Sequence, residues 1–164
     1  MSKTKNIFIS HKGEDDEHVQ HLKQRLRDRG YNVRNSSYES NNPKYDEGRK
    51  KRPSDAVIER YLRRCVNWSG TFICLIGEET NKSRWVDYEI KQAYRLGKHI
   101  LGIYKHGCAD SVELPEAFEK YKNSLIGWNS LGKLGDILDG KDFPNENPDG
   151  SSATPTNYII RIKC

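Results

Sequence analysis

The sequence lacks most of the features that mark specialised chains. No apolar run approaches the roughly 20 residues that a bilayer-crossing helix needs, the strongest being Thr71 to Ile76, so no membrane span is expected. Met1 to Lys5 is polar and leads straight into Asn6-Ile7-Phe8-Ile9, with no signal-peptide pattern. The 4 cysteines, Cys65, Cys74, Cys108 and Cys164, lie far apart, with no Cys-x-x-Cys pair and no histidine at ligand spacing. A zinc site or disulfide framework is therefore not expected, and a reducing cytosol is the natural compartment. P-loop and dinucleotide-fold glycine motifs are missing as well. Neither sign of charge dominates: 28 Lys and Arg against 23 Asp and Glu leave +5, gathered mostly in Arg49-Lys50-Lys51-Arg52 and in Arg60, Arg63 and Arg64. Without aromatic interleaving, a zinc motif or a helix-turn-helix, these basic residues read first as solvated surface and second as a contact for an anionic metabolite; nucleic acid is not an expected partner.

What is present fits one domain: 164 residues, 34% hydrophobic and 31% charged, suffice for a single core. Short apolar runs alternate with helical patterns. Asn6 to Ser10 reads as a buried strand, and Asp15 to Arg29 as a helix with Val19, Leu22 and Leu26 on one face, closed by Gly30. Tyr31 to Arg34 is a second strand. The polar stretch from Asn35 to Pro53 is too long for a routine connection, and loops of that length are functional or disordered. Ser54 caps a helix to about Trp68; Thr71 to Gly77 is a nearly continuous apolar run, as in a central parallel strand. Asn81 or Ser83 caps a helix from Arg84 to Leu96, closed by Gly97, and His99 to Tyr104 is a fourth strand. A short helix at Pro115 to Tyr121, a fifth strand at Ser124 to Trp128 and a last helix at Ser130 to Leu138 complete the pattern. Gly140 to Asn157, rich in turn-forming residues, reads as an extended linker, and Tyr158 to Ile162 as an edge strand. The domain is thus expected over residues 1–139, with a C-terminal extension over 140–164.

The alternation of strand and helix implies a three-layer α/β fold: a flavodoxin-like parallel sheet of order 2-1-3-4-5 with helices on both faces. In such a sheet ligands bind beyond the carboxyl ends of the strands where the winding reverses, here after strands one and three. Ser10-His11-Lys12-Gly13 follows strand one; it suits a phosphate held at a helix start equally with an ordinary polar turn. After strand three, Val86, Ile90, Ala93 and Gly97 form an inward helical stripe, with Glu89 at its border one turn above Trp85. By spacing alone Glu89 is a boundary glutamate paired with a basic residue, and Trp85 a core aromatic.

Four blocks carry a resemblance that changes this reading: Ile7-Phe8-Ile9-Ser10-His11, Arg29-Gly30-Tyr31-Asn32-Val33, Thr71 to Ile76, and Trp85-Val86-Asp87-Tyr88-Glu89-Ile90 followed by Gly97-Lys98-His99-Ile100. Over about residues 6 to 104 the chain resembles the TIR (Toll/interleukin-1 receptor) superfamily, particularly the small standalone TIR-like proteins of prokaryotes found in Thoeris antiphage defence. The resemblance implies an enzyme of the NAD glycohydrolase or ADP-ribosyl cyclase type, with NAD as substrate and no cofactor. Glu89 would be the catalytic glutamate, and Ile9, Ser10, His11, Lys12, Ser83 and Trp85 would line the substrate site. It further implies a diffusible, cyclic, ADP-ribose-derived product that reaches a separate effector protein, and it allows self-association. The loop over Asn35 to Pro53 is longer and more basic than the family pattern, so no contact is carried over to it.

Two rivals share the fold. A response-regulator receiver needs an Asp at the end of strand three, where this chain has Gly77-Glu78. A flavodoxin needs a Ser/Thr-rich phosphate loop after strand one. The stronger alternative is a non-enzymatic TIR-like adaptor or nucleotide sensor acting through protein assembly.

Overall fold

Five apolar runs pair side by side, all parallel, in the order β2-β1-β3-β4-β5: β1 (Asn6–Ser10), β2 (Asn32–Asn35), β3 (Thr71–Ile76), β4 (His99–Tyr104) and β5 (Ser124–Ile126). The computed structural model describes residues 5–12, 17–35, 54–108 and 111–153. The helices are α1 (Glu17–Asp28), α2 (Asp55–Trp68), α3 (Arg84–Arg95), α4 (Glu116–Tyr121) and α5 (Leu134–Leu138). Every residue of β3 is buried, because helices cover both faces of a central parallel strand.

Strand alternation divides the core into two layers. Ile7, Ile9, Ile73, Leu75, Leu101 and Ile103 meet α1 and α5 on one face. Phe8, Phe72, Cys74, Ile76 and Ile100 meet α2, α3 and α4 on the other. The helix ends follow their sequence signals. Ser54 Oγ accepts from Val57 N–H (3.4 Å) and Ser83 Oγ from Val86 N–H (3.2 Å). Gly30 and Gly97 close α1 and α3 at φ 89° and 69°, values that side chains with a Cβ rarely adopt.

The C-terminal third departs from the expectation. In place of one helix over 130–138, a 3-10 segment spans Trp128–Lys133, with Ser130 outside helical geometry, and only Leu134–Leu138 is α-helical. The fifth strand stops at Ile126 because Trp128 already belongs to that segment. Residues 141–153 do not run out as an extended linker. Glu146 N–H donates to Leu125 O (2.9 Å), Glu146 and Ser152 form an antiparallel bridge, and the segment lies against the outer side of β5. Its Pro, Gly, Asn and Asp make a tight turn: Ser151 N–H donates to Asp149 Oδ1 (2.8 Å) and Asn147 N–H to Ser151 O (2.7 Å). The edge strand expected at Tyr158 to Ile162 lies outside the described residues.

Glu146 fastens this segment. It is 2% exposed, accepts from Gly127 N–H (2.9 Å) and pairs with Lys133 Nζ (2.9 Å). Burial alone would raise its carboxyl, but the hydrogen bonds from Lys133, Gly127 and Ser130 outweigh it and hold the group below its ordinary 4.5. A depressed folded-state value means stabilisation that is present above pH 4.5 and lost as pH falls through the folded value. Glu146→Gln is therefore expected to lower Tm at neutral pH and to flatten the loss of Tm below pH 4.5, measured by thermal melts across pH. An unaltered acid limb would show that this carboxylate does not hold the segment.

Candidate functional site at the carboxyl ends of β1 and β3

Glu89 stands in the second turn of α3 and is 1% exposed. Burial raises the Cys74 thiol, and the Glu89 carboxylate raises it further; Cys65 on α2 is raised by burial and, more weakly, by the same carboxylate. Glu89 is thus within electrostatic reach of β3 and of α2, on the layer that holds α2, α3 and α4. Cys74 is the register partner of Ser10. Ser10 is fully buried, and its Oγ has no hydrogen-bond partner among the described residues. Buried hydroxyls are nearly always partnered, so an unused one at a strand tip marks a place where a polar ligand can bind.

Around this pair the chain is tied down. Arg84 pairs with Asp55 (2.7 Å), and Tyr88 Oη donates to Glu59 O (3.3 Å), clamping α3 to α2. Trp85 is half-buried, edge-on to Tyr88 (ring centroids 6.1 Å apart) and beneath the Arg84 guanidinium at 4.8 Å. It belongs to the rim between α2 and α3, not to the core. Ser83 is committed to capping α3, so it acts on the site by fixing the helix that carries Glu89.

The other residues of the β1 tip diverge. Ile9 is fully buried in the layer of α1 and α5, across the sheet from Glu89, because it alternates with Ser10 along the strand; only its backbone is at the tip. His11 is 5% exposed, with its Nε2 3.1 Å from Asn35 Nδ2 at the end of β2, and Lys23 Nζ donates to Asn35 Oδ1 (3.1 Å). An amide nitrogen only donates, so His11 Nε2 accepts and its ring proton sits on Nδ1. Lys12 is exposed. The structure therefore brings together Ser10, Glu89, Cys74 and Cys65, with Trp85 at the rim, and sets His11 beside β2. Asn35, which orients His11, was hidden in the sequence at the start of a long polar stretch. Residues 36–53 lie outside the described residues, and with them every expectation about that loop.

A shallow cavity of about 430 Å3 lies at the opposite end of the sheet, lined in part by Lys5, Trp68, Gly70 and Lys98. There Asn6 Nδ2 donates to Trp68 O (3.2 Å) and Lys98 Nζ to Asn67 O (3.1 Å), bonds that fasten the end of α2 to the sheet. Among the described residues no group of three His, Cys, Asp or Glu side chains converges on a metal position, and no helix is long and apolar enough to cross a membrane.

A parallel sheet of this order, layered by helices, is the fold of a TIR-like domain. Residues 8–110 match the family described as "Thoeris protein ThsB, TIR-like domain", and the chain belongs to that family. The "Putative cyclic ADP-D-ribose synthase ThsB1" of Bacillus cereus (strain MSX-D12) is 33% identical over 60 residues, which make up 37% of this chain and 31% of that protein. Among solved structures, a 2-deoxyribosyltransferase from Bacillus psychrosaccharolyticus superposes with a TM-score of 0.52 at 16% identity, over 84% of this chain and 93% of that one, a likeness of fold alone. The TIR domains of the activated Roq1 resistosome give a TM-score of 0.43 at 15% identity, over 82% of this chain and 77% of that one.

Proposed function

We propose that this Thoeris TIR-like protein cleaves NAD, releasing nicotinamide and forming an ADP-ribose-derived product, cyclic in form, that carries a signal to a separate effector. The observation that carries the reading is a buried carboxylate, Glu89, within electrostatic reach of Cys74, the register partner of Ser10, whose buried Oγ has no hydrogen-bond partner among the described residues. Family membership and the cyclic ADP-D-ribose synthase name of the Bacillus cereus relative support it.

One carboxylate is sufficient for this chemistry. Ordinary glycosidases need an acid to protonate the leaving oxygen and a second carboxylate opposite it. In NAD the bond from ribose C1′ to the nicotinamide nitrogen breaks with its electron pair going to a pyridinium, which departs as neutral nicotinamide without a proton. The positive charge passes to the ribose as an oxocarbenium. An ionised Glu89 then stabilises that cation and accepts hydrogen bonds from ribose hydroxyls, in surroundings where burial strengthens each interaction. In this reading the buried Ser10 Oγ bonds the same sugar. Capture by water gives linear ADP-ribose, and capture by a nucleophile of the same molecule gives a cyclic isomer. Apolar walls around Glu89, with Trp85 at the rim, exclude water and so favour the cyclic course.

The reading is tested by mass spectrometry of small molecules from phage-challenged cells that express the protein, beside cells expressing Glu89→Gln. Nicotinamide and an ADP-ribose isomer are expected with the wild type only; equal metabolite profiles would contradict it. Trp85→Ala is expected to lower kcat/KM while costing less stability than the roughly 3–5 kcal/mol lost when a fully buried aromatic is truncated, because the indole is only half-buried. Unchanged turnover would remove Trp85 from the site.

A further inference from the structure

Lys105 follows β4 directly, and its N–H donates to Ile76 O (2.8 Å), extending the ladder between β3 and β4 past its last paired residues. Its side chain runs back over Gly77, the first residue after β3. A Cβ built on Gly77 would lie 3.0 Å from Lys105 Cδ, 3.3 Å from Cε and 3.5 Å from Nζ. The lysine stem thus occupies the space that any side chain at position 77 would take. Gly77 is in turn held by its N–H, which donates to Thr80 Oγ1 (2.8 Å) in the turn that leads into α3. The ammonium is therefore carried, on a half-buried stem, to the carboxyl end of the central strand.

Strand geometry relates this group to Glu89. Gly77 is three residues beyond Cys74, a rise of about 10 Å along β3. By alternation Lys105 lies toward the layer of α1 and α5, whereas Glu89 belongs to the layer of α2, α3 and α4. The two charges flank the tip of β3 from opposite layers, the negative one deep and the positive one high. A dinucleotide has the complementary order, with a sugar that becomes cationic at one end and a diphosphate beyond it. We propose that Lys105 is a phosphate-binding residue of the site, its ammonium laid over Gly77 to hold the diphosphate of the nucleotide whose ribose meets Glu89. This inference rests on the NAD reading for its ligand. It assigns to a residue after β4 a phosphate contact that the sequence offered at Ser10-His11-Lys12-Gly13.

The competing explanation is a structural lysine, its stem covering Gly77 and its ammonium engaged within the protein. Lys105→Met separates the two, because it keeps an unbranched stem and removes the charge. Isothermal calorimetry with ADP-ribose as the probe is the measurement, with wild type, Lys105→Met and Lys105→Arg compared at two salt concentrations. Lys105→Met is expected to weaken binding about tenfold or more and to reduce the salt dependence, while Lys105→Arg stays within a few-fold of wild type. Equal ADP-ribose affinity in Lys105→Met, or no ADP-ribose binding by wild type, overturns the inference. Nicotinamide release by the same preparations tells its failure from failure of the reading beneath it. Continued release with unchanged Lys105→Met affinity leaves the cleavage reading standing and Lys105 outside the site. Affinity lost in Lys105→Met without release by wild type leaves a nucleotide-binding site that does not cleave.

Discussion

Glu89→Gln is expected to cut nicotinamide release by at least on the order of 100-fold, the scale on which loss of one preorganised electrostatic contact is felt. The same substitution is expected to move Tm far less than turnover, because an amide of nearly the same shape fills the same buried position, 1% exposed. The two readouts separate function from architecture. A structural glutamate, holding helices together through an ion pair, would lose stability on conversion to Gln, because its partner would be left buried and uncompensated. Falling Tm with intact turnover would thus assign Glu89 to the framework. Nicotinamide release is read by chromatography and Tm by scanning fluorimetry on the same sample.

The second large effect concerns the packing that sets the depth of the site. Gly102 lies in the middle of β4, opposite Cys74 in register. A Cβ there would come within 2.2 Å of Phe118 Cζ and 2.9 Å of Leu125 Cδ1, inside the layer that also contains Cys74 and α3. Phe118 is fully buried and cannot swing aside. Gly102→Ala is therefore expected to destabilise the protein by about 3 kcal/mol, the upper end of overpacking costs. For a chain of this length that corresponds to a fall in Tm of roughly 6–12 °C. Phe118→Leu in the same chain is expected to restore part of the loss, since it withdraws the ring from the clash. A Gly102→Ala protein that melts with the wild type would show that α4 does not press on β4 as described.

Much of this architecture was legible in the sequence because it rests on periodicity. The continuous apolar run from Thr71 to Ile76 announced a strand covered on both faces, and the caps at Ser54 and Ser83 marked helix starts by a mechanism that needs no tertiary context. The C-terminal segment was not legible, because Pro, Gly, Asn and Asp serve a tight turn and a free linker equally well. Its anchor is one carboxylate, Glu146, whose partners Gly127 and Lys133 are distant in sequence. Within the site, spacing put Glu89 at the border of the apolar stripe, but its burial, to 1% exposure, depends on the elements packed around α3, which no helical wheel contains. Similarly, Ile9 and Ser10 are neighbours in sequence and belong to opposite layers. Lys105 stayed invisible because its placement depends on the missing side chain of Gly77, just beyond another strand.

The central claim is that the buried Glu89 carboxylate, within electrostatic reach of Cys74 in β3, supports departure of nicotinamide from NAD. Proton NMR of NAD with purified protein at high concentration, alone and with extract of phage-infected cells, tests it most directly. Free nicotinamide signals growing with time in the wild type and absent with Glu89→Gln are the predicted result. NAD left intact by the wild type under both conditions would contradict the claim and leave a TIR-like binding module in its place.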